Sequence, residues 1–180
     1  MSDITAELAK LKALRGSDFV GQLKVIAARR EFHALVTDPN IFIVGGEDAV
    51  DFPNLLNASR KAVEHGYTVF ILPNPKNFRT ADFIFERKGV FKMFDLKTIV
   101  GKNSVSNRLK ESIGQTDSVL LNLNCNYGIR NITDEIRKYF ETSPSAVEVL
   151  IFSGNKEISI KRNVATSKGF LKMMMNSFRR

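Results

Sequence analysis

The stretch Thr80 to Thr98, TADFIFERKGVFKMFDLKT, limits the fold more than any other part of the chain. Two runs of strand-forming residues flank Arg87-Lys88-Gly89, which predicts a β-hairpin. With the turn centred on Lys88-Gly89, a symmetric hairpin pairs positions whose numbers sum to about 177, so Asp82 is expected opposite Asp95, directly or within one residue of slip. Period two then puts Asp95 and Lys97 on one side of the second strand and Lys92, Phe94 and Leu96 on the other. One side of this strand therefore carries an acid and a base.

Two facing carboxylates destabilise a sheet unless a cation lies between them, which points to a divalent ion with oxygen ligands, Mg²⁺ or Mn²⁺. Beside such an ion, Lys97 would position or help deprotonate an attacking water and offset charge developing on phosphorus. Metal-assisted phosphodiester hydrolysis is the reaction these residues suggest. A solvated Asp95–Lys97 pair on an edge strand, with Asp82 capping a turn, is the plainer alternative, because an isolated DxK triplet often arises by chance.

The remaining sequence supplies a frame for this hairpin. Leu8, Leu11, Leu14 and then Phe19, Leu23, Ile26, Ala27 recur at helical spacing on either side of Gly16-Ser17-Asp18, predicting two helices with Ser17 or Asp18 as the second N-cap. A strand is expected at Ile41 to Gly46. From Asp51 the pattern is regular: a helix opened by an acid and Pro53 and closed by Gly66, a strand at YTVFILP, and the hairpin. A helix then carries Val105, Leu109 and Ile113, followed by a strand from Asp117, a helix at NITDEIRKYFE, and a hairpin turning at Gly154-Asn155. The predicted order from residue 53 is α-β-β-β-α-β-α-β-β. It divides the chain into an N-terminal helical segment (1–46), an α/β domain (47–162) and a basic C-terminal tail (163–180) with four bases and no acid, expected to be a frayed, solvated end or a basic arm touching phosphates.

With 180 residues, 43% of them hydrophobic, one packed core plus an extension is expected. A net charge of +8 built from 27 bases and 19 acids describes a folded basic protein, for which a polyanion is the natural partner and a solubilising charge excess the bland alternative. A single cysteine, Cys125, excludes an internal disulfide, and with only His33 and His65 beside it a structural zinc site is excluded too. No run of eighteen apolar residues marks a membrane-spanning segment, and Asp3 and Glu7 stand where a signal peptide would be apolar.

The residues from Gly66 to Thr98, GYTVFILPNPKNFRTADFIFERKGVFKMFDLKT, resemble the core of PD-(D/E)xK nucleases, and more narrowly the C-terminal nuclease domains of bacterial contact-dependent growth inhibition toxins and related polymorphic toxins. The likeness covers roughly 51–162: a helix ending near GY, a strand ending LP, an apolar strand after an aspartate, DxK in the next strand, and a glutamine ahead of the following strand in SIGQTDSVLLNLN. It implies an αβββαβ core with a mixed sheet flanked by helices. It also implies that Asp82 and Asp95 bind the metal, that Lys97 is catalytic and that Gln115 supports them. The sequence departs from the pattern in the first helix, where the family's glutamate falls near Asn57, with Glu64 a turn too late and Glu47 and Asp51 ahead of the helix.

Lys76, Arg79, Lys102, Arg108 and Lys110 flank the proposed site as candidate phosphate contacts, Thr98 adjoins Lys97, and Asn122, Asn124 and Asn126 alternate as if sharing a face, either for substrate or as the polar side of an edge strand. His65 reads as a helix C-terminal cation, and Cys125 has no histidine to activate it. The resemblance implies an RNA substrate, tRNA among the candidates, action in a bacterial cytoplasm after delivery, and an acidic immunity protein as partner. Two rivals stand beside this reading: a metal-independent, barnase-like ribonuclease and a non-catalytic nucleic-acid-binding or phage-assembly module.

Overall fold

The structure, a computed structural model, describes residues 3–75, 79–101 and 105–179. The chain is mixed α/β, and its contacts divide it into two compact units, Met1–Phe94 and Asp95–Arg180.

The first unit opens with helix α1 (Asp3–Lys10), a 3-10 turn (Leu11–Ala13) and helix α2 (Gly16–Ala27). Ile4, Leu8 and Leu11 recur at i, i+4, i+7, and with Leu23 and Ile26 of α2 they form a core with Phe70, Leu72, Ala81, Ile84 and Met93. The N-terminal helices thus share a core with the strands that follow residue 46. The N-cap of α2 is Arg15, extended and without a side-chain bond, and not Ser17 or Asp18, which lie inside the helix. A two-residue strand, β1 (His33–Ala34), pairs antiparallel with β2 (Ile41–Ile43). Helix α3 (Phe52–Glu64) begins after Asp51 with Pro53 in its first turn and ends through His65 at Gly66, whose φ of +83° is the left-handed closure expected there. It crosses over to β3 (Thr68–Ile71), parallel to β2. Strand β4 (Phe83–Arg87) is antiparallel to β3 and to the first half of β5 (Val90–Ile99). The β4–β5 register runs from Phe83↔Phe94 to Arg87↔Val90, each pair summing to the 177 expected from the turn. Lys88 and Gly89 both have positive φ, 53° and 79°, the pattern of a tight two-residue hairpin. Tyr67, Phe83, Phe85 and Phe94 meet on one face with ring centroids 5.2 to 5.3 Å apart.

The second unit takes the rest of β5, Asp95–Ile99, which pairs parallel with β6 (Ser118–Leu123) through helix α4 (Val105–Ser112). Helix α5 (Ile129–Thr142) makes the second crossover, to β7 (Glu148–Ser153), parallel to β6. Strand β8 (Lys156–Lys161) returns antiparallel, with Gly154 at φ +58° opening the turn. The order from α3 to β8 is the one predicted. Ile99, Val119, Leu121, Val149, Ile151 and Ile160 point to one side of these strands and pack under Val105, Leu109, Ile132, Ile136 and Phe140 of the helices.

Three further expectations are corrected. The helix α4 stops at Ser112, and Ile113, expected as its third core position, is 46% exposed. Asn122 is fully buried in β6, a strand paired on both sides, while Asn124 and Asn126 lie beyond its end and are exposed, so the three do not form the polar face of an edge strand. The last eighteen residues are not a frayed tail: after the short helix α6 (Arg162–Ala165), α7 (Phe170–Arg179) buries Phe170 and Met174 in the core of the second unit.

Candidate functional site

Strand β5 sets the site. Asp95 and Lys97 are two residues apart, opposite Val119 and Leu121 of β6, and so lie on the side of the strand covered by α4 and α5. Asp95 is 2% exposed, and the Lys97 side chain 12%. The ammonium stands 3.0 Å from Asp95 Oδ2, within ion-pair distance but off the direction a hydrogen bond requires, so Oδ2 has no hydrogen-bond donor among the described residues. The plainer alternative of a solvated pair is thereby overturned: this carboxylate is almost fully enclosed, and a buried carboxylate oxygen without a donor is costly.

Tyr139, which the sequence did not single out, lies close enough to Asp95 to feel its charge. Tyr139 of α5, itself buried, hydrogen-bonds with Ser112 and Ser143. Burial pushes its phenol up from the ordinary range, and the Asp117 and Asp95 carboxylates act in the same direction. One turn earlier on α5, Glu135 accepts a hydrogen bond from the Tyr127 hydroxyl at 3.0 Å. Burial raises Glu135, and burial with the neighbouring Glu135 raises Tyr127 to about 12, against the donation of the Val105 amide to its oxygen. The placement of Tyr139 near Asp95 depends on how α5 lies on the strands, for which no local motif exists.

Asp82 stands in the first unit, half-buried just ahead of β4; its amide donates to Phe94 O at 3.0 Å and its carbonyl accepts from Leu72 N at 2.8 Å. The backbone at Asp82 is therefore fixed on both flanks. Asn57 lies on the exposed side of α3, and Glu64 is exposed at its last position. Arg79 is exposed in the loop before Asp82, while Lys76 and Lys102 lie outside the described residues. Thr98 faces away from Asp95 and Lys97, beside Asn122 in the register, with its hydroxyl buried and without a hydrogen-bond partner among the described residues. Arg108 pairs with Glu111 at 3.1 Å on the outer side of α4, and the Gln115 amide donates to Glu111 O, closing the same helix. Lys110 is exposed, as is His33; the His65 carbonyl accepts from Arg87, and Cys125 packs on the core of the second unit.

The fit to a divalent ion rests on the donor set. Among the described residues no group of three or more His, Cys, Asp or Glu side chains is placed to hold a metal. Mg²⁺ binds through one or two carboxylates and keeps several waters, and the enclosed Oδ2 of Asp95 is an oxygen still lacking a donor among the described residues.

Residues 79–158 of the chain match the family model described as the contact-dependent growth inhibition CdiA C-terminal domain. The match takes in Asp82, Asp95, Lys97 and Gln115 and covers under half of the 180 residues. No curated protein matches the chain. Among solved structures, the chain resembles the CdiA-CT/CdiI toxin and immunity complex from Burkholderia pseudomallei, at 15% identity and a TM-score of 0.46, over 65% of this chain and 89% of that one. No helix among the described residues is long and apolar enough to cross a membrane.

Proposed function

We propose that this chain is a toxin domain of contact-dependent growth inhibition that hydrolyses phosphodiester bonds in RNA, tRNA among its substrates, in the cytoplasm of a target bacterium, and that an immunity protein neutralises it. The observation that carries the chemistry is the enclosed Asp95–Lys97 pair with its undonated oxygen; the toxin reading is supported by the family match over 79–158. Asp82 and Asp95 would hold Mg²⁺ or Mn²⁺, which supplies Lewis acidity toward a phosphoryl oxygen when bound. Lys97 orients the attacking water and offsets negative charge on phosphorus as the water oxygen bonds to it and the bond to the leaving oxygen breaks. The low accessibility of Lys97 strengthens that electrostatic effect, because water screens it little.

The test is incubation of the wild type and Lys97→Ala with total tRNA, ribosomal RNA and plasmid DNA, in Mg²⁺, in Mn²⁺ and in EDTA. Cleavage that requires both metal and Lys97 is expected; intact nucleic acid in every lane sinks the reading. The Tyr127–Glu135 pair favours a second reading, metal-independent RNA cleavage, since a hydroxyl and a carboxyl in hydrogen-bond contact, the carboxyl raised by burial, are groups that can exchange a proton with a substrate. Cleavage that persists in EDTA and is lost in Glu135→Gln selects it.

A further inference from the structure

The charge of the molecule is unevenly placed. Met1–Phe94 contains 13 bases against 11 acids, and Asp95–Arg180 contains 14 against 8. From Arg162 to the end there are five bases and no acid. In the structure this segment is not loose. The α7 helix turns Phe170 and Met174 into the core, with Met173 and Phe178 packed against it, and that anchoring fixes what the outer side presents. Lys172, Asn176 and Arg179 are exposed and follow at i, i+4 and i+7, a stripe of two turns or about 10 Å along the helix. Lys168 is exposed just ahead of the helix. Arg137, whose partner Asp134 stands at 3.9 Å, lies over the Phe170 ring at one end of α7, and at the other end the Lys156 ammonium donates to Phe178 O.

We infer that the outer side of α7, with Lys168, Lys172, Asn176 and Arg179, is a nucleic-acid docking surface that binds the sugar-phosphate backbone of the substrate and reads no sequence. For the identity of the polyanion this rests on the nuclease reading. Two features favour phosphates over a solvated face. The segment itself contains no acid, whereas Lys10 is paired with Glu7 and Arg60 with Asp38. The bases also sit on a helix held by buried side chains, so little freedom is lost when they bind.

The experiment measures binding and not cleavage, so that its failure differs from failure of the nuclease reading. Fluorescence anisotropy with labelled total tRNA compares Lys97→Ala with Lys97→Ala carrying Lys168→Gln, Lys172→Gln and Arg179→Gln, from 50 to 200 mM salt. The triple change should weaken binding at least tenfold at low salt, and the slope of log affinity on log salt should become shallower by about 2, the loss of three phosphate contacts. A control set, Lys10→Gln, Lys12→Gln and Arg15→Gln, should leave both nearly unchanged. Equal losses in the two sets, an unaltered slope, or competition by poly-glutamate as effective as tRNA overturns the inference. Loss of cleavage in the wild type with binding intact strikes the nuclease reading and leaves this surface standing. Matching melting temperatures for the two sets exclude misfolding as the cause.

Discussion

Two carboxylates in the second unit are each 2% exposed and each stand 3.0 Å from a lysine, yet they are built differently. Glu148 of β7 takes the Ser159 hydroxyl on Oε1 at 2.6 Å and a well-directed bond from Lys161 on Oε2, both from the neighbouring strand, and Lys161 remains 46% exposed. Asp95 has its lysine on its own strand, 12% exposed and misaligned, and one oxygen is left without a donor. Distance alone would rank the two pairs as equals. Satisfaction separates them: both oxygens of Glu148 accept a directed hydrogen bond, whereas Oδ2 of Asp95 has an ion pair but no hydrogen-bond donor among the described residues.

The sharpest way to break this contrast is activity. Lys97→Ala should lower RNA cleavage by roughly 10²- to 10³-fold, the range for a lost electrostatic donor, whereas Lys161→Ala should leave the rate within about twofold. Equal losses in initial-rate assays would remove the distinction. Stability comes next. Replacing both members of a poorly satisfied buried pair with apolar residues is often neutral or stabilising, so Asp95→Leu with Lys97→Met should leave the folding stability unchanged or raise it by about 1 to 4 kcal/mol in thermal melts, while abolishing cleavage. Glu148→Leu with Lys161→Met should lower it, because the Ser159 hydroxyl loses its acceptor. A fall in the first variant as large as in the second would show Asp95 to be structural.

A third carboxylate, Glu135, shares a phenol and sharpens the comparison through pH. The Tyr127 pKa is raised in the folded state to about 12, so its contribution is complete below the unfolded value near 10 and lost as pH rises through 12. Thermal melts from pH 9 to 12 should show an alkaline loss of about 1 to 2 kcal/mol, after discount for partial exposure, that Tyr127→Phe removes. The smallest effect is expected at Ser159→Ala: one hydrogen bond to Glu148, about 1 kcal/mol or a few degrees, with no change in cleavage.

Where the sequence carried a local instruction, it could be read. Asp51, Pro53 and Gly66 bound α3, and Lys88-Gly89 fixes a register that follows from counting alone. The same period of two placed Asp95 and Lys97 on one side of β5. What escaped depends on partners distant in the chain. The strand β1 is two residues long and exists by pairing with β2, α7 becomes ordered by burying Phe170 and Met174, and Asn122 is enclosed because neighbours flank β6 on both sides. The neighbours of the Asp95 carboxylate belong to this second kind. Tyr139 lies 44 residues beyond Asp95, and only the docking of α5 brings its phenol into range.

Arg162 shows what such distance means in time. Its guanidinium donates to the carbonyls of Phe140, Ser143, Pro144 and Ala146, 16 to 22 residues earlier, where α5 ends and the chain turns into β7. During synthesis, the end of α5 leaves the ribosome with these carbonyls open to water, and the donor that closes them follows only after β7 and β8 have been made. The carbonyls at the end of α5 are thus closed by a residue made later than the two strands that follow the helix.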